Sequence, residues 1–124
     1  MTTTIDAEEY RRIMGESSGV NKYHAKRTTV DNIEFDSKRE AERYTELRNL
    51  ERAGIIRDLE LQPSFALIVN GHHCGVYRAD FRYYDKEQEM TITEDAKSPA
   101  TRTPVYRLKA KLVRALYGVD IVEV

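Results

Sequence analysis

Apolar residues recur three positions apart between Ser37 and Ala53. The apolar positions are Ala41, Tyr44, Leu47 and Leu50. This spacing places their side chains on one side of a helix, so it predicts a first long helix over this stretch. Ser37 and Glu40 have the spacing of a capping box at the start of the helix, and Gly54 can end it.

A second amphipathic stretch follows Thr103. Thr103 is a preferred N-cap residue and Pro104 suits the first turn, so a helix is predicted from Pro104 to about Tyr117, before Gly118. The apolar residues expected to face the core are Val105, Leu108, Leu112, Ala115 and Leu116. The closing segment VDIVEV predicts a final strand.

Turn residues separate several extended segments between and before the helices. Asp31 and Asn32 lie between two β-branched residues and predict a small hairpin. After Gly54, an extended run is interrupted by Pro63 and ends at the turn formed by Asn70 and Gly71. These signals predict that the chain turns at Asn70-Gly71 and then returns as a strand.

The return strand, residues 75–84, alternates in polarity. One side is expected to carry Tyr77, Ala79, Phe81 and Tyr83, and the other Arg78, Asp80, Arg82 and Tyr84. The next strand, MTITEDAKS, is predicted over residues 90–98. Its alternation places Asp95 and Lys97 on one face and Glu94 on the opposite face.

The order of the elements from the first long helix is helix, three strands, helix and strand. This α-β-β-β-α-β order predicts an α/β (α+β) domain over residues 22–124, with a mixed sheet flanked by helices. Residues 1–21 are predicted to form an N-terminal helix and a linker, since Gly15, two serines and Gly19 interrupt the pattern. A chain of 124 residues suffices for one core.

Composition narrows the class of protein. The hydrophobic fraction is 40% and the charged fraction 33%, a balance typical of soluble globular proteins. No apolar run approaches the length of a membrane span, and the first residues lack the apolar stretch of a secretory signal. A single cysteine, Cys74, excludes an internal disulfide and is typical of a reducing cytoplasm.

Asp80, Asp95 and Lys97 are the candidate chemical residues. If their strands pair antiparallel, Asp95 lies near Asp80, and two ionised carboxylates so placed repel each other unless a divalent cation or a proton lies between them. With Lys97 alongside, the cluster has the groups that phosphodiester hydrolysis requires. The alternative is that these charges form ordinary cross-strand ion pairs on a hydrated sheet face.

Glu40 allows two interpretations. Its position falls within the apolar stripe of the first helix, and a carboxylate directed to a core must be paired, protonated or bound to metal. Alternatively, its side chain completes the capping box with Ser37. The two roles exclude each other, because a side chain that folds back on Ser37 cannot reach a metal.

Basic residues form two clusters that are candidates for binding DNA phosphates. The first surrounds Tyr23 and contains Lys22, Lys26 and Arg27; the second lies on the last helix and contains Arg107, Lys109 and Lys111. Solvated loop and helix faces would have a similar composition. A zinc site at the segment HHC, residues 72–74, is disfavoured because adjacent ligands lack the paired spacing of structural sites.

The segments FDSKREAERYTELRNLERAGIIRDLELQPSF, YRADFRYYD and EDAKSPATRTPVYRLKAKL, in this order, resemble small phage and prophage proteins of the endonuclease I-like family. That family lies within the PD-(D/E)XK nuclease superfamily and resembles Holliday-junction resolvases. The resemblance extends from about Lys22 to the C-terminus. It implies a restriction-endonuclease-like core.

The resemblance also implies roles for individual residues. Asp80 corresponds to the superfamily's first aspartate, and Asp95 and Lys97 to its (D/E)xK strand. Glu40 corresponds to the acidic residue on the first core helix, and Gln62 to a supporting residue of the same cleft. Ala79 stands where the superfamily usually has proline. Glu94 is the second choice as a ligand in place of Asp95, because it lies on the opposite face.

The activity implied by the resemblance is hydrolysis of DNA phosphodiester bonds with Mg²⁺ or Mn²⁺, held by Asp80, Asp95 and Glu40. The expected substrate is branched DNA such as a Holliday junction, in phage recombination or DNA processing. The expected state is a homodimer in the cytoplasm of a bacterial host, with no membrane association. The alternative is a non-catalytic DNA-binding module with the same fold.

Overall fold

The computed structural model describes residues 27–124. The predicted N-terminal helix and linker, residues 1–21, lie outside this range, as do Lys22 and Lys26 of the first basic cluster. Within the described range the elements are β1 (Thr28–Val30), β2 (Ile33–Phe35), α1 (Lys38–Arg52), β3 (Ile56–Leu61), β4 (Ser64–Val69), β5 (His72–Arg78), β6 (Phe81–Asp85), β7 (Met90–Asp95), α2 (Pro104–Tyr117) and β8 (Ile121–Glu123).

The central sheet has the strand order β3-β6-β7-β8. Its first three strands pair antiparallel, and β8 joins β7 in parallel, so the sheet is mixed. Two further pairs, β1-β2 and β4-β5, are antiparallel hairpins. The predicted α+β class, with a mixed sheet and two helices, is confirmed. Neither helix of residues 27–124 is both long enough and apolar enough to cross a bilayer.

A bend in one long hairpin distinguishes the structure from the predicted order. Strands β3 and β4 form one arm and β5 and β6 the other, and both arms bend between their two strands. Gln62 adopts a left-handed backbone conformation, with φ 53°, before Pro63, and Ala79 donates its N–H to the Pro63 carbonyl at 3.0 Å. The predicted continuous strand over residues 75–84 is therefore wrong: it breaks at Ala79 and Asp80, and three predicted strands become five.

Helix α1 begins and ends as predicted. Ser37 is its N-cap and Ala53 its C-cap, and Ala41, Tyr44 and Leu47 are buried. These side chains pack on a core that contains Phe35, Ile56, Phe81, Tyr83 and Ile92. The first core therefore lies between α1 and one face of the central sheet.

Helix α2 spans the predicted residues but buries a different face. Tyr106 and Val113 are buried against the β4-β5 hairpin, in a second core with Phe65, Leu67, Tyr77 and Ala79. The predicted apolar stripe is largely exposed; Val105 is 62% exposed, Leu108 59% and Leu116 40%. Tyr106 and Val113 are seven residues apart, which is nearly two turns of helix, so they form a second apolar line. This line lies about 100° around the helix axis from Val105. Helical spacing cannot choose between the two lines.

Candidate active site

Asp80 occupies the bend between β5 and β6, where both its backbone and its side chain are held. Its N–H donates to the Glu94 carbonyl at 3.0 Å, and its carbonyl accepts from the Gln62 N–H at 2.9 Å. Its Oδ2 accepts from the Ala96 N–H at 2.7 Å. Since Phe81 pairs with Glu94 in the antiparallel register, Asp80 lies beside the next residue of β7, Asp95.

Asp95 ends β7 and is 2% exposed. Its Oδ2 accepts a hydrogen bond from the Tyr77 hydroxyl, and its Oδ1 lies 3.2 Å from Lys97 Nζ. The Lys97 ammonium also lies 4.5 Å from the centre of the Tyr106 ring, within the range of a cation–π interaction. Burial and the negative charge of Asp95 raise the pKa of Tyr77, so its hydroxyl stays protonated and remains a donor.

The Glu40 side chain reaches the same cluster from the first turn of α1. Its backbone N–H donates to Ser37 Oγ at 3.1 Å, which satisfies the helix terminus without the side chain. The carboxyl group itself lies close enough to that of Asp80 for the two groups to shift each other's pKa. The structure therefore uses the main chain of Glu40 for the cap and directs its side chain to Asp80.

The carboxyl groups of Glu40 and Asp95 lie close enough to Asp80 for the charge of each to affect its ionisation. Neighbouring carboxylates repel each other unless a proton or a cation lies between them. Burial, then the negative charges of Glu40 and Asp95, raise the pKa of Asp80 well above its ordinary value. Burial and the charge of Asp36 raise the pKa of Glu40 to about 7.

The raised pKa of Glu40 predicts how stability depends on pH when no metal is present. A carboxyl group whose pKa rises from 4.5 to about 7 on folding binds more protons in the folded state between these values. The free energy of unfolding should therefore fall as pH rises through this window, by at most about 3 kcal/mol for this group. Urea unfolding in EDTA at pH 4.5 to 8 measures it.

Glu40→Gln should flatten this profile, because the amide does not titrate. Glu42→Gln is the matched control, since Glu42 is an exposed glutamate of the same helix that pairs with Lys38 at 3.9 Å. A Glu40→Gln profile that matches the wild-type profile would show that Glu40 is not protonated near pH 7.

Glu94 lies on the opposite face of β7, as its strand parity predicts, and has partners of its own. Arg43 of α1 binds both its oxygens, with Nε to Oε1 at 2.8 Å and Nη2 to Oε2 at 2.6 Å. The Tyr83 hydroxyl also donates to Oε2. This bidentate pair occupies Glu94 in holding α1 to the sheet, so the geometry favours Asp95 over Glu94 as the ligand.

The donor atoms of the cluster suit a hard divalent cation, because carboxylate oxygens are the preferred ligands of Mg²⁺. No three histidine, cysteine, aspartate or glutamate side chains among residues 27–124 are arranged to hold a metal ion together. Magnesium is commonly held by one or two carboxylates, with water and substrate phosphates completing its coordination. Asp80 and Asp95 fit that pattern. The HHC segment is exposed on β5, and Cys74 is a free thiol.

The basic residues of α2 separate into two sides. Arg107, Lys111 and Arg114 line an open groove between α2 and β8, called the basic groove below, which also contains Tyr106 and the acidic residues Asp120 and Glu123. Arg114 pairs with Asp120 at 3.2 Å. Lys109 does not line this groove, since residues two apart project about 200° from each other on a helix. Of the first basic cluster, Arg27 is described, and it pairs with Glu34 at 2.7 Å. The groove meets the acidic cluster at Tyr106.

Gln62 contributes to the site through its backbone, which is bonded to Asp80. Several residues that contact the cluster or its supports were not predicted from the sequence: Asp36, Arg43, Tyr77, Tyr83 and Tyr106. Tyr77 and Tyr83 were expected on one face of one strand, and the bend at Asp80 instead places them in separate cores. Asp36 raises the pKa of Glu40 by its negative charge. The only indication of this contact in the sequence was that Asp36 lies four residues before Glu40.

Comparison with known proteins adds one finding. A family model described as Protein of unknown function (DUF1064) matches residues 20–121. No curated protein and no solved structure matches the chain.

Proposed function

The chain belongs to the DUF1064 family, whose description assigns no function, and we propose from its site that it is a metal-dependent endodeoxyribonuclease. The observation that carries this proposal is the convergence of Glu40, Asp80 and Asp95 with Lys97 beside the end of β7. The spacing of Asp95 and Lys97, and their resemblance to a PD-(D/E)XK site, support the same reaction class.

Asp80 and Asp95 would hold Mg²⁺ or Mn²⁺ through carboxylate oxygens, and Glu40 would join them as a third ligand by turning its side chain towards the bound cation. When bound, the cation supplies Lewis acidity and lowers the pKa of a coordinated water. Glu40 and Asp80, whose pKa values are raised, must be ionised to bind metal, so binding is expected to release protons and to strengthen as pH rises. Lys97 would orient the attacking water and place positive charge against the developing charge of the phosphate. No covalent intermediate with the protein is involved.

The basic groove supports DNA as the substrate. Its side chains Arg107, Lys111 and Arg114 are exposed, and Tyr106 lies both in the groove and against Lys97. A DNA backbone bound there would lead to the acidic cluster. Branched DNA is proposed from the resemblance to junction-resolving relatives, and a homodimer follows because the cutting of two opposed strands requires two sites. A reducing bacterial cytoplasm, with a role in phage recombination or DNA processing, completes the proposal.

Cleavage assays on the wild-type chain test the function directly. Labelled four-way junction and linear duplex are incubated with the protein in Mg²⁺, in Mn²⁺ or in EDTA, and products are separated on denaturing gels. The expected result is cleavage of the junction in either metal and none in EDTA, with the duplex cut more slowly. Light scattering of the protein alone tests the homodimer.

Tight junction binding without metal-dependent cleavage would favour the alternative, a non-catalytic DNA-binding module. The raised pKa values of Asp80 and Glu40 favour this alternative, because protonated carboxyl groups can remain together without a metal. Absence of both cleavage and DNA binding would exclude both functions.

The groove predicts which basic residues of α2 contact phosphates. Arg107→Ala and Lys111→Ala should each weaken junction binding in EDTA and lower the slope of log affinity against log salt by about 1. Lys109→Ala is the matched control, since it removes the same charge from the other side of the helix and should leave the slope unchanged. Fluorescence anisotropy measures the affinity of all three variants at salt concentrations between about 50 and 300 mM, where log affinity falls linearly with log salt concentration. Equal effects at the three positions would contradict a groove-specific contact.

A further inference from the structure

Two tyrosines make the same contact on opposite faces of β7. The Tyr77 hydroxyl donates to Asp95 Oδ2 and the Tyr83 hydroxyl donates to Glu94 Oε2, and both hydrogen bonds are buried. Asp95 is 2% exposed and Glu94 1%. Both carboxylates therefore depend on a phenol hydroxyl to replace the water that they lose on folding.

The two carboxylates differ in what else binds them. Both oxygens of Glu94 are bound by the planar guanidinium of Arg43, which fixes the group from α1. Asp95 is paired with an ammonium and not with a guanidinium. Its Oδ1 lies 3.2 Å from Lys97 Nζ, which is a point charge at the end of a flexible side chain. The Asp80 carboxyl group also lies beside it but would turn to the cation on metal binding, so the rotation of the Asp95 carboxylate is then restrained mainly from Oδ2.

Tyr77 is well placed to supply that restraint because its own ring is held. Its centroid lies 6.2 Å from that of Phe65 in β4 and 6.2 Å from that of Tyr106 in α2. Tyr77 is 3% exposed. The position of its hydroxyl is thus set by the packing of the second core, on the far side of the bend from α1.

We propose that Tyr77 is a positioning residue for Asp95, and that its hydroxyl orients this carboxylate to bind a divalent cation. The inference rests on the proposed function. The terminal torsion of an aspartate is broad, so a carboxylate without a fixed partner samples many orientations. Partners that hydrogen-bond to a ligating group contribute to metal affinity in this way.

The matched pair of tyrosines allows a decisive experiment. Wild type, Tyr77→Phe and Tyr83→Phe are titrated with Mn²⁺ by calorimetry in the absence of DNA, and each is unfolded thermally in EDTA. Both variants lose one buried hydroxyl, so both should unfold at a lower temperature. The Kd for Mn²⁺ should rise about tenfold in Tyr77→Phe and stay at the wild-type value in Tyr83→Phe.

Cleavage provides a second measurement. In Tyr77→Phe, a higher Mn²⁺ concentration should restore the rate of DNA cleavage. The affinity of this variant for DNA in EDTA should equal that of the wild type. A misfolded fraction would not recover with metal. An unchanged Mn²⁺ affinity in Tyr77→Phe, or an equal loss in the two variants, would overturn the positioning role and leave the metal site standing. A wild-type chain that binds no Mn²⁺ would overturn the proposed function itself, and the inference with it.

Discussion

Asp80→Asn is expected to lower the rate of Mg²⁺-dependent DNA cleavage by at least about 10²–10³-fold, the range observed when a single group that stabilises charge in a transition state is removed. Asp80 lies near both other carboxyl groups of the cluster, so the amide removes the central oxygen ligand of the proposed cation. Rates are measured with excess enzyme on labelled junction at saturating Mg²⁺.

Lys97→Ala is expected to lower the rate by a similar factor, because it removes the positive charge beside Asp95 Oδ1. Both variants should bind junction in EDTA with wild-type affinity, since neither residue lies in the basic groove. Lys86→Ala is the matched control, as Lys86 is an exposed lysine in the turn after β6. Cleavage by Asp80→Asn within tenfold of the wild-type rate would rule out the proposed site.

Asp80→Asn also separates a catalytic defect from a folding defect. A buried carboxyl group that faces two others is costly when ionised, and the neutral amide removes that cost. The variant should therefore be at least as resistant to urea as the wild type above pH 7 in EDTA. A strong loss of stability would instead indicate that Asp80 holds the bend together.

Arg43→Ala is expected to lower the free energy of unfolding by about 3 kcal/mol, because it leaves the Glu94 carboxylate buried without its partner. Arg43 is 23% exposed, which places the expected loss at the lower end of the range for buried pairs. Urea unfolding at pH 7 measures it. Arg39→Ala is the control: Arg39 is an exposed arginine of the same helix, and its removal should change stability by less than about 0.5 kcal/mol.

Glu94→Gln extends this prediction to the choice between the two acidic residues of β7. It should also lower stability, while cleavage per folded molecule stays close to the wild-type rate. Loss of cleavage with unchanged stability would instead identify Glu94 as the metal ligand in place of Asp95. The two residues are adjacent in the chain and differ in the face of the strand that they occupy.

Local physical chemistry accounts for the features that were correctly predicted. The limits of α1 follow from a serine cap and helical spacing, and the hairpin turns at Asp31-Asn32 and Asn70-Gly71 follow from residues that tolerate positive φ. The opposite orientation of Glu94 and Asp95 follows from the two-residue period of a strand. Each of these features depends on residues within a few positions of one another.

The remaining features depend on contacts between distant segments. The bend at Asp80 forms because both arms of a hairpin change direction together, at Pro63 and at Ala79. The buried face of α2 is chosen by the hairpin against which it packs, and not by its own periodicity.

The Glu40 side chain gives the clearest contrast between the two levels. Capping spacing and helical phase assigned it opposite roles, and both are correct in part: its N–H caps the helix while its carboxyl group meets Asp80, forty positions further along the chain. The sequence specified the residue types, the turns and the strand parity, since these obey short-range rules. The convergence of the carboxyl groups and the raised pKa values of Glu40 and Asp80 required the packed chain, because burial and mutual repulsion arise only when folding brings such groups together.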